Sequence, residues 1–195
     1  MSRADALLVV DVQNDFCPGG ALGVAGADGV AERVAELLAG EHGYRLVVAT
    51  RDMHVDPGAH FSDTPDFVDT WPVHCVRGTA GAELRPELAG VHFDAIFDKG
   101  AFEAAYSGFE GRLAAGEGEG AALAEWLRAA GVRSVDVVGI ATDHCVRATA
   151  SDALREGFVT AIRADLTAAV DPQRGRAALD ELATDGAEIR GHLQS

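Results

Sequence analysis

Three apolar runs in the chain end in residues that can do chemistry. The run ALLVVD ends at Asp11, DAIFDK ends at Lys99, and VDVVGIATDHC reaches Cys145 just past its apolar stretch. Lys99 stands alone among fifteen arginines as the one lysine, and an ammonium group can lose a proton where a guanidinium cannot. Ligands bind beyond the carboxyl ends of parallel strands. We therefore expect a base, a cation and a nucleophile to meet in one crevice.

Each of these residues also has a purely structural interpretation. Cys145 precedes a helical period, and the amides and dipole at a helix N-terminus are expected to lower the pKa of its thiol. The alternative is an inert buried cysteine. Asp11 ends a strand too apolar to leave a carboxylate unpaired, and Lys99 is its expected partner. The alternative there is an ion pair with no catalytic role.

A second group of polar residues follows the predicted strand over residues 46–50. It begins with the pattern Asp52-x-His54 and continues with His60 and His74. One carboxylate and three imidazoles can hold a divalent first-row metal ion and leave positions open for water or substrate. This donor set does not choose among zinc, iron and manganese. The alternative is that these are solvated loop histidines.

The elements that position these residues alternate between short β-branched runs and helical periods. The strands are predicted over 7–10, 46–50, 93–97, 135–140 and 158–162, and the helices over 30–38, 121–130, 145–156 and 174–182. Strands alternating with helices predict right-handed crossovers and a doubly wound, mainly parallel sheet. The fold class is therefore a Rossmann-like three-layer α/β/α sandwich. Residues 51–92, with no convincing helix, and the glycine-rich 108–120, which contains GEGEG, are predicted to be loops.

Composition limits the class of protein. A chain of 195 residues predicts one domain over 1–195, and no run is long and apolar enough to span a membrane. A net charge of -15 argues against binding nucleic acid or anionic lipid. The start of the chain has no secretory signal, which predicts the cytoplasm. The chain has three widely spaced cysteines, Cys17, Cys75 and Cys145. An odd number with this spacing predicts free thiols in a reducing compartment.

Longer motifs carry a family resemblance. They are VVDVQNDFCPGGAL, TRDMHVDPGAHF, WPVHCVRGTAGAEL, DKGAFEAAYSGFEG and VVGIATDHCVRATASDA. With them the chain closely resembles the nicotinamidases, including pyrazinamidase-type enzymes, within the isochorismatase-like cysteine hydrolases. The resemblance implies a catalytic triad of Asp11, Lys99 and Cys145, and a metal site, in the loop over residues 51–80, of Asp52, His54, His60 and His74. It also implies a cis peptide bond between Ile140 and Ala141.

The implied reaction is hydrolysis of nicotinamide to nicotinate and ammonia through a Cys145 thioester, as a step of NAD salvage, with pyrazinamide as a second substrate. The backbone N–H groups of Ala141 and Cys145 would hold the oxyanion. One divalent metal ion would bind the pyridine nitrogen. The implied substrate pocket is formed by Phe16, Trp71, Tyr106, Ala141 and His144, and His144 has no proton-transfer role.

Two other functions remain open at this point. An isochorismatase-like vinyl-ether hydrolase, acting with a carrier protein, would need no metal ion. A thiol-based redox or metal-sensing module could be built from Cys145, Cys17 and the histidines, and it would hydrolyse no amide. The sequence does not distinguish a monomer from a homodimer.

Overall fold

A seven-stranded sheet forms the centre of the molecule in the computed structural model, which describes residues 4–114 and 120–193. The strands are β1 (Ala6–Val10), β2 (Leu46–Asp52), β3 (Ala95–Lys99), β4 (Arg112–Leu113), β5 (Ser134–Ile140), β6 (Val159–Ala168) and β7 (Glu188–Arg190). The helices are α1 (Ala27–Ala39), α2 (Leu123–Ala129), α3 (Arg147–Arg155) and α4 (Pro172–Thr184). The strand order is β4-β3-β2-β1-β5-β6-β7, and all pairs are parallel except β3 with β4.

The central strand β1 explains why the sheet is covered on both faces. All five of its residues are buried, as expected for a parallel strand whose alternating side chains enter two separate cores. Leu7 and Val9 belong to a core cluster with Val30 and Val34 of α1. Leu8 and Val10 belong to the opposite cluster, which contains the buried faces of α2, α3 and α4. The predicted three-layer sandwich is therefore confirmed.

Strand register decides where the polar residues lie. Asp52, the last residue of β2, pairs with Lys99, the last residue of β3. Val10, the last residue of β1, pairs with Thr50 on one side and Gly139 on the other. The carboxyl ends of β1, β2, β3 and β5 therefore meet at one edge of the sheet, where ligands bind in open α/β folds.

The structure corrects several predicted elements. The edge strands β4 and β7 have two and three residues, too few for an alternating pattern to be read, and they were not predicted. Strand β6 extends to Ala168 rather than ending at residue 162. Short 3-10 turns interrupt the predicted loop over 51–92, and a 3-10 turn and β4 interrupt the one over 108–120. All of GEGEG except Gly120 lies outside the described residues. Within 4–114 and 120–193, no helix is long and apolar enough to cross a membrane.

Candidate active site

Asp11 and Lys99 form a buried ion pair beneath the sheet edge. Asp11 directly follows β1 with φ +49°, a left-handed conformation that is uncommon for a non-glycine residue. Its Oδ1 atom accepts a 2.7 Å hydrogen bond from the Thr50 hydroxyl, and its Oδ2 atom lies 2.9 Å from Lys99 Nζ. Both side chains are fully buried. The pairing predicted from the strand ends is therefore present in the structure.

Lys99 is shared between two carboxylates and the cysteine. Its ammonium group also donates to Asp52 Oδ1 and lies 3.9 Å from Cys145 Sγ. Burial favours the neutral amine, but the charges of Asp11, Asp52 and Cys145 outweigh it, so the pKa of Lys99 is well above its ordinary value. Lys99 therefore remains a cation and offsets the negative charge of the site.

Cys145 lies beside Asp11 and Lys99 as predicted, but the pKa of its thiol is not lowered as predicted. Cys145 lies in a single π-helical turn, Thr142–Val146, that leads directly into α3. Its Sγ atom is within 4.8 Å of a carboxylate oxygen of both Asp11 and Asp52. Burial raises the pKa of the thiol, Lys99 opposes this, and the two carboxylates raise the pKa further. The prediction of a lowered pKa is wrong for the resting site, because burial and adjacent negative charge outweigh the helix N-terminus.

The pKa of Asp11 is also raised. Burial is the main cause, and the charge of Lys99 acts against it. The Cys145 thiol and the Asp11 carboxyl group, both with raised pKa values, thus lie beside the Lys99 cation. The resting arrangement is a protonated thiol next to a carboxylate whose basicity is increased, which suits transfer of the thiol proton to Asp11.

His54, His60 and His74 come together as the metal hypothesis requires. One ring nitrogen from each lies within 4.8 Å of the others, and all three side chains are buried. His54 Nδ1 bonds to the Gly100 carbonyl at 2.5 Å, and His74 Nδ1 bonds to the Pro72 carbonyl at 2.8 Å. Such carbonyl contacts fix the orientation of these two imidazoles and leave each Nε2 atom available to coordinate a metal ion.

Unsatisfied nitrogens support this interpretation. His54 Nε2 and His60 Nδ1 are buried and have no hydrogen-bond partner among residues 4–114 and 120–193, which is costly unless another group binds there. Burial and the neighbouring His74 and His54 lower the pKa of His60 to about 4, so His60 is a neutral imidazole at ordinary pH. These donors fit a divalent metal ion.

The two carboxylate oxygens of Asp52 face different groups, which the sequence did not predict. Its Oδ1 atom accepts from Lys99, whereas its Oδ2 atom lies 3.8 Å from His54 Nε2. Asp52 therefore links the cysteine group to the histidine group. Gln13 fixes this link and was not predicted from the sequence. Gln13 Nε2 donates to the Asp52 carbonyl at 2.8 Å, and Gln13 Oε1 accepts from the Asp52 backbone N–H at 2.9 Å.

A cavity of about 440 Å³ opens onto both groups. All members of the predicted substrate pocket line it, together with one member of the predicted triad and three of the predicted metal ligands: Phe16, Trp71, Tyr106, Ala141, His144, Cys145, Asp52, His60 and His74. Trp71 Nε1 donates to the Tyr106 hydroxyl at 3.0 Å, which fixes two of the aromatic side chains. Asp11 and Lys99 are not among its lining residues, so the base and the cation lie behind the cysteine.

Further lining residues were not predicted. Leu22, Val24, Phe67 and Val170 form apolar parts of the wall. No local sequence signal distinguishes them from ordinary apolar residues, because their place on the wall depends on how distant loops fold over the sheet edge.

Comparison with known proteins places this site in a family. Residues 5–193 match the isochorismatase domain. The chain belongs to the isochorismatase domain family.

Among its relatives, the nicotinamidase/pyrazinamidase of Mycobacterium tuberculosis is 52% identical over 94% of this chain and 97% of its own length. The pyrazinamidase of Pyrococcus horikoshii, solved in complex with zinc, is 40% identical, with a TM-score of 0.78 over 96% of this chain and 98% of its own. The PnC1 protein of L. infantum, solved in complex with nicotinate, is 35% identical, with a TM-score of 0.80 over 97% and 93% of the two chains.

The isochorismatase family resemblance thus extends over almost the whole chain. The cis peptide bond that the resemblance implied is present between Ile140 and Ala141. It lies at the carboxyl end of β5, directly before the turn that contains Cys145.

Proposed function

We propose that this chain is a nicotinamidase that hydrolyses nicotinamide to nicotinate and ammonia, as a step of NAD salvage, and deamidates pyrazinamide in the same way. The observation that carries the proposal is that one cavity opens onto two buried groups, the cysteine with its carboxylate and lysine neighbours and the cluster of three histidines. The 52% identity with the M. tuberculosis nicotinamidase/pyrazinamidase supports the choice of substrates.

In the first half of the reaction, Cys145 is the nucleophile and Asp11 is the general base. Asp11 accepts the thiol proton, and the sulfur attacks the carboxamide carbon to give a tetrahedral intermediate. Lys99, 2.9 Å from Asp11 Oδ2 and 3.9 Å from Cys145 Sγ, stabilises both the carboxylate and the developing thiolate. Asp11 then passes this proton to the amide nitrogen, and the C–N bond breaks. Ammonia departs, and the acyl group remains on Cys145 as a thioester.

The oxyanion of the tetrahedral intermediate would be stabilised by the backbone N–H groups of Ala141 and Cys145. Two observations support this role. Both residues line the cavity, and both lie in the segment that joins β5 to α3. Backbone donors held by a strand end and a helical turn need no rearrangement as charge develops on the oxygen.

In the second half of the reaction, a water molecule attacks the thioester carbonyl. Asp11 accepts a proton from this water, and the C–S bond breaks as the second tetrahedral intermediate collapses. The departing sulfur recovers a proton from Asp11, which restores the thiol and the carboxylate. The carboxylic acid released by this collapse loses its proton to solvent, and nicotinate leaves the cavity.

The metal site would be formed by Asp52, His54, His60 and His74, in the loop over residues 51–80. One divalent ion bound there would supply a Lewis acid for the pyridine nitrogen and so orient the ring. Zinc, iron and manganese all accept this donor set. The aromatic side chains of Phe16, Trp71 and Tyr106 would bind the ring itself. Ring binding and bond cleavage thus depend on different residues.

We also propose one domain over residues 1–195 and a reducing, cytoplasmic location. Cys17, Cys75 and Cys145 are all buried and free of disulfide bonds, which is typical of proteins in a reducing compartment.

The test is ammonia release from nicotinamide and from pyrazinamide by the purified protein, under reducing conditions and after loading with zinc, iron or manganese. Elemental analysis gives the metal content in parallel. We expect turnover that depends on about one metal ion per chain. Folded, metal-loaded protein that releases no ammonia from either amide would overturn the proposal, and full activity after complete metal removal would overturn the role given to the histidines.

A further inference from the structure

The cavity has one wall that the mechanism above does not use. Residues 62–70, here called the rim loop, leave and rejoin the site at a bridge between Phe61 and Trp71. The Trp71 backbone N–H donates to the His60 carbonyl at 2.8 Å, and the Ser62 N–H donates to the Trp71 carbonyl at 2.9 Å. The base of the rim loop is thus attached to one of the histidines and to one of the pocket aromatics.

The tip of the rim loop is organised by a single carboxylate. Asp66 Oδ1 accepts hydrogen bonds from the backbone N–H groups of Val68, Asp69 and Thr70, each at 2.9 Å. The Thr70 hydroxyl donates to the same oxygen at 2.9 Å. Asp66 is exposed and is not among the residues that line the cavity. Its hydrogen bonds close the tip into a compact turn.

This turn holds Phe67 in an unusual position. Phe67 has φ +58°, which is costly for a bulky side chain and persists only where the surroundings impose it. Its ring contacts Trp71 edge to face, with 6.2 Å between ring centroids and 85° between ring planes. It lines the substrate cavity although it is 52% exposed.

The next residue provides a natural comparison. Val68 has a similar exposure, 60%, but it lines a separate cleft of about 500 Å³ instead of the substrate cavity. Asp69 lies in that second cleft as well. The rim loop therefore places one apolar side chain in the wall of the cavity and the next one in the wall of the separate cleft.

We propose that Phe67 is a specificity-determining residue, the outer wall that limits the size of the aromatic carboxamide, and that Asp66 is the positioning residue that holds it there. This inference rests on the proposed function. In nicotinamide, carbon 2 lies between the ring nitrogen and carbon 3, which carries the carboxamide. Carbon 5 is directly across the ring from carbon 2. If a metal ion held by the histidine cluster binds the ring nitrogen and Cys145 attacks the carboxamide, carbon 5 lies on the ring edge farthest from both. We place Phe67, the half-exposed aromatic residue of the cavity wall, against that edge.

The chemical class of substrate follows from this arrangement. The site takes flat heteroaromatic carboxamides with a ring nitrogen meta to the carboxamide and with hydrogen or a small group at carbon 5. A large group at carbon 5 would meet the Phe67 ring. An apolar wall can impose roughly ten- to 200-fold discrimination for a small change in substrate size.

The first experiment compares kcat/KM for nicotinamide, 5-methylnicotinamide and 5-phenylnicotinamide in the wild type, Phe67→Ala and Val68→Ala. We expect Phe67→Ala to lower the preference for nicotinamide over 5-phenylnicotinamide at least about tenfold. We also expect the KM for nicotinamide to rise about three- to tenfold, with kcat within about twofold, because a ring contact is lost but no reacting group changes. Val68→Ala should retain the wild-type preference. An unchanged preference in Phe67→Ala, with an active wild type, overturns this inference and leaves the proposed function intact.

The second experiment tests Asp66 with Asp66→Ala, Asp66→Asn and the control Asp69→Ala. We expect Asp66→Ala to reproduce the relaxed preference of Phe67→Ala. Asp66→Asn should restore the wild-type preference, because its amide oxygen can accept the same backbone N–H groups. Asp69→Ala should behave as the wild type. Equal loss of kcat on all three substrates, or wild-type preference in Asp66→Ala, overturns the positioning role. A wild type that releases no ammonia from nicotinamide overturns the proposed function itself.

Discussion

Lys99 Nζ lies 2.9 Å from Asp11 Oδ2, and neither side chain is exposed to solvent. The same ammonium group also donates to Asp52. One buried cation therefore faces two buried carboxylates and a cysteine. Charges taken out of water are tolerated only when they are paired in this way, so the group is expected to matter for stability as well as for catalysis.

Replacing Lys99 with methionine should therefore destabilise the fold and stop turnover. We expect the free energy of unfolding to fall by about 3–5 kcal/mol, because Asp11 and Asp52 lose their common partner in a buried site. Urea denaturation measures this change, and ammonia release measures the activity. The control is Arg155→Ala, which removes an exposed pair with Asp152 and should cost less than about 1 kcal/mol. Similar losses in the two variants would contradict the prediction.

Replacing Cys145 with alanine should separate chemistry from binding. We expect kcat to fall by roughly 10³–10⁶-fold, as for other catalytic nucleophiles, while nicotinamide still binds to the metal-loaded protein in calorimetry. Cys17→Ala is the matched control, because Cys17 is another buried free thiol but does not line the cavity. That variant should keep its activity. If Cys17→Ala were equally inactive, a redox role for the thiols would become the better explanation.

Replacing Gly100 with alanine should weaken metal binding. A Cβ atom there would lie 2.7 Å from His54 Cε1, and the Gly100 carbonyl is the hydrogen-bond partner of His54 Nδ1. We expect a loss of about 10–100-fold in metal affinity, measured by chelator competition.

Gly78→Ala is the control for this experiment. Gly78 has a similar backbone conformation, φ +83° compared with +73° for Gly100, but open space around its Cβ position. Both variants should lose about 1 kcal/mol of stability from backbone strain, and only Gly100→Ala should lose metal. Equal metal affinity in the two variants would show that the contact with His54 is unimportant.

Replacing Tyr44 with phenylalanine should change how stability depends on alkaline pH. Burial, together with the hydrogen bond to Asp136 and its charge, raises the pKa of Tyr44 to about 12, compared with about 10 in an unfolded chain. The folded state therefore keeps this proton to higher pH, so its contribution to stability is complete below pH 10 and is lost as the pH rises toward 12.

The measurement for Tyr44 is urea denaturation of the wild type and Tyr44→Phe at pH 8 and at about pH 11. We expect the wild type to be more stable by about 1–3 kcal/mol at pH 8, where the phenol donates to a carboxylate. The difference between the two proteins should shrink at the higher pH. A difference that stays constant or grows would contradict the raised pKa.

Much of the site could be predicted because its residues stand at recognisable places in the chain. Asp11 and Lys99 end apolar strands, and Cys145 follows one. Parallel strands bring their carboxyl ends to one edge. Local patterns therefore sufficed to predict that these side chains meet, and the ladder that pairs Asp52 with Lys99 places a fourth member beside them.

Other features could not be predicted, because they depend on contacts between residues far apart in the chain. Gln13 contacts Asp52 across 39 positions. Phe67 lines the cavity only because the rim loop folds against Trp71. Strands β4 and β7 are too short to show a pattern, and pairing with β3 and β6 defines them.

The amino-acid sequence by itself determined which chemical groups this protein has and at which edge of the sheet they stand, because strand periodicity and strand ends are local properties. Only the tertiary structure decided that Cys145 rests as a thiol, that His60 stays neutral, and that Asp52 joins the two groups. Burial and the distances between charges set these properties, and both arise only when the distant segments pack together.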